Sequence, residues 1–325
     1  MSKPQTRIVI LDAATYGDMP LTAITGTWDC KVHQVTNAAQ TGARLAGCTV
    51  VVTNKVVIDE SLLNSPDAHE LKLIAVAATG TDIIDKGAAS KRGIRVCNVP
   101  GYASQSVAQF TMALILELAI RASSYAAAVK AGEWQKSPVF TLLNFPNIEL
   151  SGKKLGIIGF GNIGRMVAQM ARSFGMEILI GARPGDPTAA ADRVPLAKLF
   201  AQADFISLHC PLTAGTRNLI NHQTLALMKS SAFLINTARG ALIDEPALIE
   251  ALSNKRIAGA ALDVITQEPP AADHPIIRAA SELDNLIVTP HTAWSAREAR
   301  QRLLVEVKAN IEAFLRGEPR NLVAP

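Results

Sequence analysis

The chain has 325 residues, 49% of them hydrophobic and 18% charged, with a formal net charge of +4. That length exceeds one ordinary core and suits two domains, and the hydrophobic share excludes a disordered chain. The basic residues are scattered rather than massed, which gives no case for nucleic acid or an anionic membrane surface as a partner.

In chain order, the polar start MSKPQTRIVILD runs directly into a strand-like segment, without the apolar core of a signal peptide. Short β-branched runs predict strands at Arg7–Leu11, Thr49–Thr53, Leu73–Ala77 and Arg95–Asn98, with helical segments between them. A long helix is expected over about Ser104–Ala131, then an irregular segment over Lys136–Leu150. Its most apolar part, Val107–Ile120, is interrupted by Gln109 and Glu117 and is too short to span a bilayer. A second strand series begins at Lys154 and continues at Ile178–Ile180, Phe205–His209, Phe233–Asn236, Gly259–Asp263 and Leu286–Thr289. A last helix is expected over about Ala296–Arg316. Strands alternating with helices predict α/β architecture, with parallel sheets covered by helices. Two domains are expected, with a boundary near Val99–Ser104. Cys30, Cys48, Cys97 and Cys210 lie far apart with no CxxC pair, which points to reduced thiols in a cytoplasmic setting rather than disulfides or zinc. No His, Cys or Asp cluster has metal-ligand spacing, so no metal is expected.

Residues 155–165 read LGIIGFGNIGR. A strand enters Gly159-x-Gly161-x-x-Gly164 and a helix leaves it, with Asn162 and Ile163 inside the loop. The glycines permit a tight turn, close approach to a pyrophosphate, and close helix–strand packing. The pyrophosphate then meets the N–H groups of the helix N-terminus. A glycine-rich turn can also be purely structural, but the strand before and the βα units after favour dinucleotide binding. The next strand ends Ile180-Gly181-Ala182-Arg183. No acid stands where one would bind the ribose 2′-hydroxyl, and a guanidinium is placed to pair with a 2′-phosphate. NADP(H) is therefore expected over NAD(H), with Asp186 as the alternative ribose ligand.

Arg239, Glu268 and His291 each follow a predicted strand end. In an open parallel sheet, ligands bind outside the carboxyl ends of the strands. Taken singly, His291 could be a satisfied turn histidine, Glu268 an exposed acid, and Arg239 a helix cap or a partner of Asp244. Together, behind a dinucleotide loop, they match the needs of 2-keto acid reduction. An imidazolium donates a proton to the carbonyl oxygen, a carboxylate holds the ring and favours its charged form, and a guanidinium takes the substrate carboxylate at two points. The other histidines lack this setting. His33 and His69 have no acid–base context, His222 begins a helix, and His274 lies in a polar loop. His209 ends the strand DFISLH, and the Pro211 turn follows it beside the expected adenosine.

Five segments carry a resemblance: GFGNIGR, LHCPLTAGT from Leu208, INTARGALIDEPAL from Ile235, ALDVITQEPP from Ala261 and TPHTAWSAREA from Thr289. By these the chain resembles the D-isomer-specific 2-hydroxyacid dehydrogenases along nearly its whole length. The resemblance implies Arg239 as carboxylate binder, Glu268 as orienting acid, His291 as acid/base and Asp263 as contact to the nicotinamide amide. Thr237, in the INTARG segment, falls among the cofactor residues. It implies that Thr79 and Gly80, in AATGTD, offer backbone N–H groups to the substrate carboxylate. The segments TNKV, with Lys55, and HTAW, with Trp294, are similar to glycerate dehydrogenases and hydroxypyruvate or glyoxylate reductases, and both residues are expected near substrate. Two departures stand out: Gln109 where the family usually has Glu, and Ala182 where NAD-selecting members have Asp. Glu268 argues against formate dehydrogenases, and the length leaves no room for an appended regulatory domain.

The family's architecture implies two doubly wound domains: a Rossmann cofactor domain over 102–295, and a smaller flavodoxin-like substrate domain built from 1–101 and 296–325, with the active site in the cleft between them. It also implies a homodimer through the cofactor domain, with the Ser104 helix and the Trp134–Leu150 arm as the matching segments. The expected partner is a small 2-keto or 2-hydroxy acid, with neither nucleic acid nor membrane. Two alternatives remain open: a cofactor-sensing, corepressor-like binding protein, and a dehydrogenase for a larger 2-hydroxy acid.

Overall fold

The computed structural model describes residues 6–183 and 192–324. Asp186 and Pro184 therefore lie outside the described residues. Contacts divide the chain into two compact units, Met1–Ala103 with Ser295–Pro325, and Ser104–Trp294.

The strands are β1 (Arg7–Ile10), β2 (Asp29–Val32), β3 (Val50–Thr53), β4 (Leu73–Val76), β5 (Arg95–Cys97), β6 (Lys154–Ile158), β7 (Glu177–Ile180), β8 (Phe205–Leu208), β9 (Phe233–Asn236), β10 (Gly259–Leu262), β11 (Leu286–Val288) and β12 (Leu322–Ala324). The first unit holds a sheet in the order β12-β5-β4-β3-β1-β2, and the second a sheet in the order β11-β10-β9-β8-β6-β7. Every pairing is parallel except β12 on β5.

In the second unit, strand alternation sends successive side chains to opposite faces. Ile206, Leu208, Leu234 and Leu262 join one buried cluster, while Leu155, Ile157, Ile235 and Ala261 join the other. The sheet is thus buried on both faces, as a parallel sheet requires. The helix Asn162–Ser173 lies on the second face with the helix Ser104–Ile120. In the first unit β3 and β4 are buried along their whole length, and Val9, Val51, Ile74 and Val96 share one core cluster. The helix Arg297–Leu315 adds the buried Leu303, Val307 and Ile311.

Two local features differ from the sequence expectation. The long helix breaks at Arg121 into Ser104–Ile120 and Ala122–Lys130, bent by 61°. Arg121 is left-handed (φ 53°), and the Glu117 carboxylate caps the new helix start by accepting the Ser123 N–H. The sequence reading also passed over β2 and β12. β2 is largely exposed and shows no buried run, and β12 is three residues long. Among the described residues no single helix is long and apolar enough to cross a membrane.

Candidate active site

Because the second sheet is parallel throughout, its six strands end at one edge. Gly159 follows β6, Arg183 follows β7, His209 follows β8, Arg239 follows β9, Glu268 follows β10 and His291 follows β11. The order of the sheet reverses at β6, the topological position where such folds bind ligands.

The glycine loop is shaped by contact. Gly159 has φ +99°, and a Cβ there would lie 2.4 Å from the Cys210 nitrogen. A Cβ on Gly164 would lie 2.3 Å from the Gly159 oxygen. Gly161 is the opposite case, with nothing within 4 Å of its Cβ position. It stands as N-cap of the helix Asn162–Ser173 and supplies no side-chain hydrogen bond to it. Backbone donors at the start of this helix thus face open space bare of side chain, which fits a dinucleotide pyrophosphate. Asn162 is exposed at this edge, and Ile163 turns back onto the core.

At the end of β7 the chain returns beside itself. The Ala182 N–H donates to the Val194 oxygen at 2.8 Å, and Gly181 bridges to Val194. Arg183 is exposed. The sequence reading missed Arg193, whose guanidinium carbon stands 5.3 Å from the Phe160 ring centroid and which pairs with Asp192 at 3.6 Å. Arg165 approaches the same ring at 5.7 Å. No local pattern marks Arg193, because the fold alone brings it back to the glycine loop.

At β8 the His209 Nε2 lies 2.9 Å from the Ser207 Oγ, and burial pushes its imidazole down to about 4, so the ring is neutral. Pro211 is exposed, and its carbonyl accepts the Thr216 hydroxyl at 2.7 Å. At β9 the Thr237 hydroxyl meets the buried Thr111 hydroxyl at 2.9 Å.

His291 and Glu268 meet directly, with Nδ1 2.6 Å from Oε2. His291 sits at φ 50°, a left-handed conformation uncommon for a residue with a side chain and in need of local support. Asp263 supplies that support. Its backbone oxygen accepts the His291 N–H at 2.8 Å. Its carboxylate accepts the Thr292 and Ala293 N–H groups, each at 2.9 Å, and the Thr289 hydroxyl at 2.7 Å. Burial pushes the Asp263 carboxyl above its ordinary value, and bonds from Thr289, Ala293 and Thr292 pull it back. The resemblance implied only a cofactor contact for Asp263. Its grip on the histidine turn was missed, because that grip depends on three bonds across 26 to 30 residues.

Arg239 lies in a turn braced by Asn236, whose amide donates to the Arg239 oxygen at 2.8 Å and accepts the Ala238 N–H at 3.0 Å. The following Gly240 is packed so tightly that a Cβ would lie 2.0 Å from the Ile265 carbonyl carbon. The arginine turn and the Glu268 loop therefore touch. In the first unit the Thr79 hydroxyl donates to the Val99 oxygen at 2.9 Å, and the Asn98 amide donates to the Thr79 oxygen at 2.7 Å. These bonds hold the turn that continues into Gly80. The Lys55 N–H donates to the Asp12 carboxylate at 2.6 Å, while the residue itself is exposed. Trp294 is partly buried at the end of the second unit, and Gln109 is exposed on the Ser104–Ile120 helix. Among the described residues no group of three His, Cys, Asp or Glu is placed to hold a metal ion.

Comparison with known proteins supports the same reading. Residues 112–293 match the family model described as D-isomer specific 2-hydroxyacid dehydrogenase, NAD binding domain. The chain is 43% identical over 282 residues to the glycerate dehydrogenase of Methylorubrum extorquens, covering 86% of this chain and 87% of that one. It is 34% identical over 325 residues to the hydroxypyruvate reductase of Blautia hydrogenotrophica, covering 98% and 99%. A solved D-lactate dehydrogenase of Aquifex aeolicus, complexed with NAD and lactic acid, is similar with TM-score 0.84 and 30% identity, over 98% of this chain and 99% of that one. With its glycine loop at the switch point and a nicotinamide-binding family model over more than half its length, the chain belongs to the D-isomer-specific 2-hydroxyacid dehydrogenases.

Proposed function

We propose that the protein reduces a small 2-keto acid, hydroxypyruvate or glyoxylate, to the D-2-hydroxy acid. The observation that carries this reading is the 2.6 Å contact between His291 and Glu268, at the strand edge that also holds Arg239 and the glycine loop. A bound nicotinamide supplies the hydride. Glu268 holds Nδ1 of His291, so the opposite nitrogen, Nε2, delivers a proton to the carbonyl oxygen as negative charge grows there. Arg239 takes the substrate carboxylate at two points and orients the carbonyl. Thr79 and Gly80, through backbone N–H groups, and Lys55 and Trp294 complete the proposed substrate contacts. Gly159, Gly161, Asn162, Ile163, Gly164, His209, Pro211, Thr237 and Asp263 are the proposed cofactor contacts. The unit Ser104–Trp294 is the proposed cofactor domain, and the other unit the substrate domain.

The cofactor we favour is NADPH, through Arg183, since Ala182 offers no carboxylate to a ribose. A cytoplasmic homodimer is also proposed. Free cysteines agree with a reducing compartment. Phe140, 90% exposed, and Leu143, 81% exposed, agree with a partner over the Trp134–Leu150 arm.

Steady-state turnover of hydroxypyruvate, glyoxylate and larger 2-keto acids, each with NADPH and NADH, tests the reading. The expected result is turnover of the small acids that falls at least about a hundredfold in His291→Gln while cofactor affinity stays within about twofold. Cofactor binding with no turnover of any keto acid would overturn it in favour of a cofactor-sensing binding protein.

A further inference from the structure

Glu245 is a buried acid with no part in the proposed chemistry. It begins the helix Glu245–Ser253 and is 7% exposed. An acid in a first helical turn is ordinarily explained by the helix dipole. This one is committed elsewhere. Its Oε1 accepts the Thr266 N–H at 2.7 Å, and its Oε2 accepts the Thr266 hydroxyl at 2.9 Å. Behind it stands the buried His274, whose Nε2 lies 3.7 Å from the same Oε2. Thr266 itself is exposed. A surface loop is thus tied at two points to a buried carboxylate.

The tie leads to the histidine. The Ile265 N–H, one residue before Thr266, donates to the Glu268 Oε1 at 3.0 Å. The other Glu268 oxygen holds the His291 ring. Gly240 closes the loop from another side, since a Cβ there would lie 2.1 Å from the Ile265 oxygen and 2.5 Å from the Thr266 nitrogen. The order of contacts is Glu245, Thr266, Ile265, Glu268, His291.

We propose that Glu245 is a positioning residue that sets the Glu268 carboxylate against His291 by fixing the Ile265–Thr266 backbone. Glu268 is on an exposed loop between two prolines and the strand end, and without an anchor its carboxylate samples other rotamers. The anchor removes that freedom before substrate arrives, and preorganised hydrogen bonding of this kind is what a proton-transfer pair needs. Among the described residues, the ionisable groups on the elements around His291 and this loop include Asp263, Glu268, Glu245 and His274, and Arg239 in the turn packed on Ile265 and Thr266. The inference rests on the proposed roles of His291 and Glu268.

The test compares the parent with Glu268→Gln, Glu245→Ala, Glu245→Gln and the double variant Glu245→Ala/Glu268→Gln. Two readouts are used: the His291 ring titration by NMR in the cofactor-free protein, and the pH profiles of kcat and KM for reduction. Glu268→Gln moves the ring titration and the alkaline limb of kcat to lower pH, because the charge favouring imidazolium is gone. Glu245→Ala moves both in the same direction, by less than Glu268→Gln does, and lowers kcat about tenfold, with keto acid KM changed less than kcat. Glu245→Gln keeps an acceptor for the Thr266 N–H and a donor for its hydroxyl, and restores the parent profile. The double variant titrates like Glu268→Gln alone, since the two changes act through one contact.

If Glu268→Gln moves the titration and Glu245→Ala does not, Glu245 serves only its helix and the inference is overturned. Full additivity in the double variant overturns it as well. If Glu268→Gln leaves both readouts in place, the reading of the histidine pair itself fails. Should Glu245→Ala not fold, Thr266→Val removes the hydroxyl contact at an exposed position. A shift in the same direction, smaller than that of Glu268→Gln, then supports the proposal, and an unshifted titration overturns it.

Discussion

The two sheets are wound alike. Adding five to each strand number turns β5-β4-β3-β1-β2 into β10-β9-β8-β6-β7, and only the sixth strand differs: β12 is antiparallel, β11 parallel. The ends of their first strands have opposite chemistry. After β1 comes Asp12, 5% exposed, whose carboxylate accepts the Asn54 N–H at 2.9 Å and the Lys55 N–H at 2.6 Å from the turn after β3. After β6 comes Gly159, pressed on the turn after β8 with no side chain at all. The first crevice has its own anion built in, followed by a four-residue 3-10 turn, Ala13–Tyr16. The second leaves the N-terminus of a 12-residue helix without a side-chain cap. One winding thus yields an internally satisfied crevice and one that takes a dinucleotide, which is why function has to be read from residues and not from topology.

The comparison breaks most directly at Gly159. Gly159→Ala places a methyl group at φ +99° and 2.4 Å from backbone, so the loop has to move. The expected result is at least a roughly hundredfold loss of NADPH and NADH affinity by fluorescence titration, with the far-UV circular dichroism of the parent. Affinity within threefold of the parent would mean the loop does not carry the pyrophosphate.

Asp12→Ala tests the other crevice. It strands two N–H groups and is expected to cost about 2–4 kcal/mol of stability in denaturant melts, with cofactor affinity unchanged. Asp12→Asn retains one acceptor and costs less. Burial pushes the Asp12 carboxyl above its ordinary value of 3.8, against hydrogen bonds from Lys55, Asn54 and Thr53. A carboxyl raised in this way binds its proton more tightly folded than unfolded, so its titration contributes stability in acid that is lost as pH rises through the folded value. The stability gap between the parent and Asp12→Asn therefore narrows as pH rises from below 3.8, and a gap that widens would contradict the burial argument.

The glycine loop and its flanking strand and helix were legible in the sequence because they are local, and the spacing of three glycines has few other uses. β3, β4, β8 and β10 were legible because they are buried on both faces and read as apolar runs. β2 was not, since an exposed edge strand carries no such run. The break at Arg121 was hidden because the cap that starts the next helix comes from Glu117, inside the preceding one. Asp12, Asp263 and Glu245 hold their turns by long-range bonds, reaching as far as 43, 30 and 21 residues away. No periodicity encodes such pairings. His291 and Glu268 were picked out by their strand-end positions and by resemblance, and the fold adds their 2.6 Å contact.

The smallest expected effect sharpens the second crevice rather than breaking it. At the end of β7, Gly181 and Ala182 are engaged with Val194 by backbone contacts, so the strand end is held while the Arg183 residue is exposed. A charge-assisted bond to phosphate is worth roughly 1.5–3 kcal/mol, and an exposed guanidinium falls at the low end because water and salt screen it. That is about a tenfold preference for NADPH. Arg183→Ala should raise the KM for NADPH by about that factor and leave the NADH value within twofold. Any preference left in that variant is expected to come from Arg193 and Arg165, which stand at 5.3 and 5.7 Å from the Phe160 ring in the glycine loop. Ala182→Asp should act in the opposite sense, adding an acceptor for a ribose hydroxyl and repelling a 2′-phosphate. Measured as kcat/KM for both cofactors at two salt concentrations, the Arg183 effect should shrink at high salt while the hydrogen-bonding part of the Ala182→Asp effect persists. A parent that favours NADH, or Arg183→Ala with intact NADPH kinetics, would show that the open crevice selects its dinucleotide without this arginine.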